Sequence, residues 1–533
     1  MNFARDVLDP LPAEQTALIE LARDGSRREW TFADVRARSA GLAGTLRARG
    51  VGRGDVVMTL IGNRPEWAMA MCACFRIGAV VLPCTEQLRS KDLRLRIDVA
   101  RPSLILADER NRAELESALA LMDAGVGAGA EAGVGADTKA SVDTAAGADL
   151  DASAGAGAGA IPVLLVPDEA LFASEPAPAV ELAGDEPCLI TFTSGTAGEP
   201  KAVLHAQRYL DGQRVQARHW LGARAGELVW CTAASGWSKS ARNVFIAPWL
   251  SGASALLHDA RFDPHERLRL LESEHVNVLC MAPTEYRVIA KRATLRPLPD
   301  LRGMVAAGEA LNPQVLHAWR EVTDLEIRDG YGQTETGQLT GMAAGEPARP
   351  GSMGRALPGV GLSVREGELI ADPRTVPTFF LGYLGESARR ERDGRWTVAD
   401  RRDTGPWRTG DRVREDGDGY FWFEGRADDV IVSAGYRIGP FEVESALVSH
   451  PAVAEAAAVA APDEERGTVV RAIVVLRDGD RSPSPELARE LQEHVKRETA
   501  PYKYPRIVDF APELPKTASG KVRRAELRAS PPR

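Results

Sequence analysis

The sequence predicts an α/β protein, with a large N-terminal domain of layered β-sheets and flanking helices over residues 1–425 and a separate small α+β unit over 426–533. Three observations predict it. Strand-like and helix-like segments alternate through most of the chain, which is the signature of largely parallel sheets covered by helices. The 533 residues exceed one ordinary domain and leave ample length for a large core. The charge balance also changes along the chain: residues 426–533 carry 17 basic and 17 acidic residues, so the whole net charge of -9 lies before them.

The elements follow in order. Thr31 and Asp34 stand at capping-box spacing and open a helix with Val35, Leu42 and Leu46 on one face, closed by Gly50. Residues 55–61 read as a strand, 67–77 as a helix and 79–82 as a strand. Residues 124–160 break the pattern. Of these 37 residues 23 are Gly or Ala, with no aromatic residue and no helical period, so a flexible surface insertion is expected. Residues 161–166 resume as a buried strand, and strand patterns recur at 228–232, 276–282 and 301–307. In the tail, Pro440 and Pro451 bracket a short helix and 469–476 reads as a strand. Ser484 then caps a helix with Pro485 at its first turn and Leu487, Leu491 and Val495 in a stripe.

Composition excludes several classes. The acidic balance argues against a nucleic-acid protein. No apolar run reaches the length of a membrane span, and the N-terminus lacks the apolar core of a signal peptide, so a cytoplasmic protein is expected. The six cysteines form no CxxC pair and sit mostly in apolar runs, the pattern of buried free thiols. Of the 66 basic residues only nine are lysine. Lysines retained inside Gly/Ser/Thr-rich segments, notably Lys201, Lys516 and Lys521, therefore mark places that need a compact charge. Residues 496–533 hold ten basic against four acidic residues, which fits either a local anionic ligand or a solvated surface.

Four segments carry chemistry. Thr193, Ser194, Gly195, Thr196, Ala197, Gly198, Glu199, Pro200 and Lys201 follow an apolar strand. Their glycines free backbone N–H groups to face an anion, and the hydroxyls and Lys201 complete a phosphate grip, although this is not a Walker A loop. Asp329, Gly330, Tyr331, Gly332, Gln333, Thr334 and Glu335 form the second, preceded by Gly308, Glu309 and Ala310. Glu335 offers a hard carboxylate suited to Mg²⁺. The third includes Asp411, which suits a ribose diol, and Arg426, which suits phosphate or ribose; the fourth is a loop ending in Lys521. Taken singly, the last three also read as surface loops.

Together and in this order the segments resemble the core motifs of the adenylate-forming superfamily of acyl-CoA synthetases, adenylation domains and luciferases. The resemblance extends over nearly the whole chain outside 124–160. It is closest to medium-chain acyl-CoA synthetases, through the strings at 236–239, 435–447 and 500–506. It implies a small mobile C-terminal lid on the large N-terminal domain. It also implies two steps: a substrate carboxylate attacks the α-phosphorus of ATP to give an acyl-adenylate and pyrophosphate, then the CoA thiol displaces AMP. Residues 193–201 would grip the β- and γ-phosphates, and Thr196 and Glu335 would hold Mg²⁺. Gly308 to Ala310 and Asp329 to Thr334 would line the adenosine and α-phosphate site, Asp411 and Arg426 would bind ribose, and Lys521 would bridge the carboxylate and the α-phosphate. By the same resemblance Gly435, Tyr436, Arg437, Arg466, Lys496 and Arg506 would bind CoA, and Asp428 would be the hinge of the lid. Ala197 and Ala434 depart from the family's usual residues without removing a charge. Acetate-specific relatives carry a Trp where this chain has Gly332, which implies a deeper acyl pocket with Trp237 among its walls and a medium-chain or aryl acid as substrate.

Two alternatives stand beside this reading. One is a stand-alone adenylating enzyme that loads a carrier protein in trans. An amino-acid substrate is disfavoured, because residues 231–254 contain no Asp or Glu to meet an ammonium. The chain also ends 12 residues after Lys521, leaving no carrier domain of its own. The other is a catalytically inactive nucleotide-binding relative, against which the retained Glu335, Asp411 and Lys521 argue.

Overall fold

The computed structural model describes residues 1–126, 161–193, 200–309, 313–346, 349–391, 393–427, 429–433, 436–463, 466–477, 482–517 and 521–531, without the side chains of 121–126, Pro313 and Arg437. The expected insertion falls almost wholly outside them. Its first three residues do not: the helix Arg112–Val126 runs on through Ala124, Gly125 and Val126.

Two large sheets form the bulk of the chain. A nine-stranded sheet has the parallel strands Thr16–Leu21, Ser254–His258, Leu228–Cys231, Val278–Met281, Gly303–Ala307 and Ile327–Gln333 side by side, with antiparallel strands at both edges. A seven-stranded sheet is built on the parallel strands Val80–Cys84, Val56–Leu60 and Leu104–Asp108, extended through Pro187–Phe192, Ala202–Ala206 and Gly382–Tyr383. One core cluster joins inner-face residues of both sheets with the helices Phe32–Ala48, Pro65–Ile77 and Gln207–Gln216. The helix Pro65–Ile77 is buried on every side except at Glu66, which explains its run of Trp, Ala, Met, Cys and Phe without amphipathic alternation. The capping box of Thr31 and Asp34 forms as expected, and all six cysteines are buried and free.

The strand Val163–Val166, expected to be buried, is only half-buried. It is the outermost strand of the seven-stranded sheet, so one edge and part of a face meet solvent. Four antiparallel strands, including Trp407–Glu415 and Phe421–Arg426, form a third sheet that abuts the second chemical segment. The tail packs Val453–Asp463, Gly467–Leu476 and Ile507–Phe510 against the helices Pro440–Ser449 and Pro485–Glu498 around clusters of its own. Ser484 caps the latter helix by accepting from Leu487 N–H. No helix of the described residues is long and apolar enough to cross a membrane.

Candidate active site

Parallel strands leave their C-terminal ends open to ligands, and the chemical segments gather there. Gly308 follows the strand Gly303–Ala307 with φ +101°, so the chain turns away without a side chain, and the Lys239 ammonium comes close by. Lys239 Nζ donates to the Ala307 carbonyl at 3.0 Å. Glu309 beside it accepts from Thr284 Oγ1 at 2.7 Å and from Arg287 at 3.3 Å.

Asp329 lies in the next strand, 6% exposed, and accepts from Gly330 N–H at 2.8 Å. Burial pushes its pKa up to about 8 against the opposing pull of Gly330 N–H and Lys239. Gly332 has a local cause of its own. A Cβ there would fall 1.9 Å from the Gly337 carbonyl oxygen, where the strand pair shifts register, so this backbone admits no side chain at that position. The implied pocket depth and the strand pairing thus demand the same residue.

Asp411 is the centre of a buried network. Tyr331 donates its hydroxyl to it, Gln333 Nε2 donates at 2.8 Å, and Arg426, its register partner across the hairpin, donates at 3.2 Å. Trp407 Nε1 fixes Gln333 by donating to Oε1 at 3.0 Å. Burial raises the Asp411 pKa, and Arg426, Tyr331 and Gln333 oppose that rise.

Thr193 and Lys201 close the base of the phosphate loop: Thr193 N–H donates to the Lys201 carbonyl at 2.9 Å and Lys201 N–H to Thr193 Oγ1 at 3.0 Å. The Lys201 ammonium pairs with Glu386 at 2.8 Å and lies over the Tyr383 ring, an exposed and therefore weak arrangement. Glu335 accepts from the Tyr383 hydroxyl at 2.8 Å. A single carboxylate held this way fits Mg²⁺, which takes few protein ligands alongside phosphate oxygens and water.

Lys521 comes from the tail. Its loop is tied at the base, where Thr517 N–H donates to the Lys521 carbonyl at 2.8 Å and Lys521 N–H to Thr517 Oγ1 at 3.2 Å. The residue is exposed, and its ammonium lies within electrostatic reach of Lys239, Glu309, Asp411 and Arg426. The surrounding protein lowers its pKa, and the like charge of Lys239 lowers it further. On the N-terminal side Lys291 Nζ reaches the tail by donating to the Ala454 carbonyl at 3.2 Å.

Of the positions implied for CoA, five belong to the described residues. Exposed Tyr436 stacks on Tyr502 with ring centroids 4.4 Å apart, Lys496 and Arg506 both lie over the Tyr504 ring, and Arg466 is exposed. Arg437 sits on the strand Tyr436–Ile438. Trp237 is half-buried in the turn between the strand Leu228–Cys231 and the following helix. Ser194, Gly195, Thr196, Ala197, Gly198, Glu199, Ala310, Asp428, Ala434 and Gly435 lie outside the described residues.

Sequence reasoning assigned no role to Lys239, Tyr383 or Trp407. Lys239 was findable, being one of nine lysines and lying in a Gly/Ser-rich segment. Tyr383 and Trp407 act only through partners far away in sequence.

Known proteins match this arrangement. The AMP-binding enzyme family model matches residues 9–377, and the model of its C-terminal domain matches 442–521. The mitochondrial acyl-coenzyme A synthetase ACSM3 of Mus musculus is 38% identical over 99% of this chain and 90% of its own length. The acyl-CoA ligase YtcI of Bacillus subtilis is 36% identical over 97% and 93%. The crystal structure of the anthranilate CoA ligase AuaEII with anthranoyl-AMP superposes with a TM-score of 0.79 at 26% identity, covering 99% of this chain and 96% of that one. This chain belongs to the AMP-binding enzyme family, and its activity is that of an AMP-forming acid–thiol ligase, which activates an acid with ATP and transfers it to CoA.

Proposed function

We propose that the enzyme activates a medium-chain or aryl carboxylic acid, with residues 426–533 acting as a lid that swings about Asp428 between the two steps. The observation that supports the reading is that Lys521 of the tail lies within electrostatic reach of Lys239, Glu309, Asp411 and Arg426. The difficulty of the first step is electrostatic, because a carboxylate must approach the α-phosphate of a polyanion. Lys521 and Lys239 neutralise the two anions where they meet. Asp411, held by Tyr331, Gln333 and Arg426, accepts the ribose hydroxyls, and the free turn at Gly308 lets backbone approach the adenosine moiety. The loop from Thr193 to Lys201 holds the β- and γ-phosphates. Glu335, with Thr196, would hold Mg²⁺, which supplies charge neutralisation at the phosphates when bound.

For the second step Gly435, Tyr436, Arg437, Arg466, Lys496 and Arg506 receive CoA after the lid has turned. Its thiol displaces AMP, so no protein nucleophile is required. Trp237 and the side-chain-free Gly332 shape an apolar acyl pocket, in which each buried methylene contributes about 0.8 kcal/mol. The cytoplasm is the proposed location. A panel of carboxylic acids, assayed for AMP release and CoA thioester, tests the reading. Medium-chain or aryl acids are expected to exceed acetate in kcat/KM, and acetate as the best substrate would refute it. Adenylate formation without CoA thioester would instead favour a carrier protein as acceptor.

A further inference from the structure

The turn after the strand Leu228–Cys231 carries both Trp237 and Lys239, and it crosses from one large sheet to the other and back. It starts on the nine-stranded sheet, where Thr232 N–H donates to the Cys280 carbonyl at 3.1 Å and the Thr232 hydroxyl donates to Glu285. It returns there at Lys239, whose Nζ donates to the Ala307 carbonyl at 3.0 Å. Between these points it rests on the seven-stranded sheet. Ser235, 1% exposed, donates its hydroxyl at 2.5 Å to the carbonyl of Ile61, just past the strand Val56–Leu60. At Gly236 the backbones are in contact, since a Cβ there would fall 2.3 Å from the Thr85 nitrogen, just past the strand Val80–Cys84.

The side chain that grips this turn is Asn63. Its Nδ2 donates to the Ala233 carbonyl at 3.2 Å, and its Oδ1 accepts from Ser235 N–H at 2.9 Å. The carboxamide pairs with the turn as a peptide group of a neighbouring strand would, because it offers a donor and an acceptor side by side. Asn63 is itself held firmly. On one side Gly62 is enclosed by the Glu86, Arg110 and Asp259 side chains, and on the other Arg64 pairs with Asp108 at 2.8 Å and Glu66 at 2.9 Å. The buried helix Pro65–Ile77 begins directly afterwards. Ala233 and Ser235, which receive the grip, have been given no chemistry of their own. What their placement sets is the pair that follows, Trp237 and Lys239.

We infer that Asn63 is a positioning residue for acid activation: it clamps the turn so that Lys239 stands at the reacting carboxylate and Trp237 at the acyl group. The inference rests on the reading above, which gives those two side chains the acid to handle. A lysine ammonium stands on a flexible four-carbon stem, so its place depends on how firmly the backbone beneath it is anchored. Displacing such a group by about 1 Å costs on the order of 10²-fold in rate. Asp411, Thr193 and Lys201, proposed to bind ATP, share no hydrogen bond with Asn63 or the turn. Loss of the clamp therefore weakens the handling of the acid and spares ATP.

The test is a double-mutant cycle on acid-dependent pyrophosphate exchange, with octanoate and benzoate as the acids. Asn63→Leu keeps the volume of the side chain and removes both bonds. It should lower kcat/KM for the better acid by about 10- to 100-fold, while KM for ATP stays within about twofold. In a Lys239→Met, Trp237→Ala background the same change should cost about threefold or less, because the groups that Asn63 positions are gone. Asn63→Asp keeps the acceptor for Ser235 N–H and should fall between Leu and the wild type. Equal losses in the two backgrounds, KM for ATP rising together with KM for the acid, or unchanged kinetics in Asn63→Leu would each overturn the assignment while leaving the ligase reading intact. Exchange with neither acid in the wild type would overturn the medium-chain or aryl reading itself, and the inference with it. Should Asn63→Leu fail to fold, or the double background prove too slow to assay, Asn63→Asp decides. A raised KM for the acid with that for ATP unchanged supports the clamp, and both changed or neither changed refutes it.

Discussion

The Tyr383 hydroxyl donates to Glu335 Oε1 at 2.8 Å, a bond that ties the two large sheets together at the site. Glu335 follows the strand Ile327–Gln333 of the nine-stranded sheet, whereas Tyr383 belongs to the edge strand Gly382–Tyr383 of the seven-stranded one. A backbone bond from Phe380 N–H to the Glu335 carbonyl at 2.8 Å runs alongside it. The carboxylate proposed for Mg²⁺ is therefore oriented by a residue from the opposite sheet.

Replacing Tyr383 by Phe removes that bond but leaves the ring that packs against Phe380. Loss of an orienting partner behind a metal ligand typically costs 10- to 100-fold in metal affinity or activity. Tyr383→Phe should raise the Mg²⁺ concentration needed for half-maximal pyrophosphate exchange by about tenfold with little change in Tm. A Mg²⁺ titration of both proteins checks this, and coincident curves would remove Glu335 from the metal site.

Lys239 and Lys521 supply a second relationship. The Lys521 pKa is lowered by the surrounding protein and, next, by the positive charge of Lys239. In the proposed role Lys521 acts as the protonated ammonium, so activity should fall as pH rises through that lowered pKa. Arg426 lowers it as well; Lys239→Met takes away the larger of the two like charges and should move the alkaline limb of the exchange profile to higher pH, whatever it does to the maximal rate. A limb that stays in place would show that Lys239 does not act on Lys521 through charge.

Much of this architecture was legible, and the gaps have physical reasons. The capping box at Thr31, the Ser484 cap and three of the six parallel strands of the nine-stranded sheet, Leu228–Cys231, Val278–Met281 and Gly303–Ala307, rest on local patterns, and they form. The strand Val453–Asp463 does not look like one, because its alanine-rich sequence favours a helix; continuous pairing with Gly467–Leu476 overrides that preference. The strand Val163–Val166 was misjudged as buried because an apolar run does not reveal whether it ends up at a sheet edge. Asp411 and Lys521 were marked by their motifs. The hydrogen bonds that hold Asp411, from Tyr331 and Gln333 some 80 and 78 positions away, belong to tertiary structure.

His205 gives a stability prediction. Burial, then Arg242 and Arg208, push its pKa from the ordinary 6.5 down to about 3. The folded state therefore keeps the imidazole neutral over a range in which the unfolded chain binds a proton. The sign follows by linkage: above pH 6.5 both states are neutral and nothing is lost, and stability declines as pH falls below 6.5 until the folded-state pKa is reached. At pH 5 the loss from this group is about 2 kcal/mol. Denaturant unfolding at pH 7 and pH 5 should show that slope, and His205→Gln should flatten it by a similar amount. An unchanged slope in the variant would mean that other groups govern acid lability.

The two half-reactions separate at Lys521. Its ammonium lies within electrostatic reach of Asp411 and Glu309, and Lys291 ties the tail by donating to the Ala454 carbonyl. Lys521→Ala leaves the loop backbone able to form the same turn, so the lid should still dock. What disappears is the charge between the attacking carboxylate and the α-phosphate, and losing one preorganised group of this kind costs about 10²–10³ in rate. In the proposed mechanism the lid has turned by the time the thioester forms, and Lys521 has left the reacting centre. Lys521→Ala should thus lose acid-dependent pyrophosphate exchange by that factor, yet transfer a supplied acyl-adenylate to CoA at a near-normal rate. Acetylation of Lys521 removes the same charge and should reproduce the split. Measuring the two half-reactions separately decides the matter: equal losses in both would point to damaged lid docking, and near-normal exchange would show that Lys521 is only one more exposed cation in the tail.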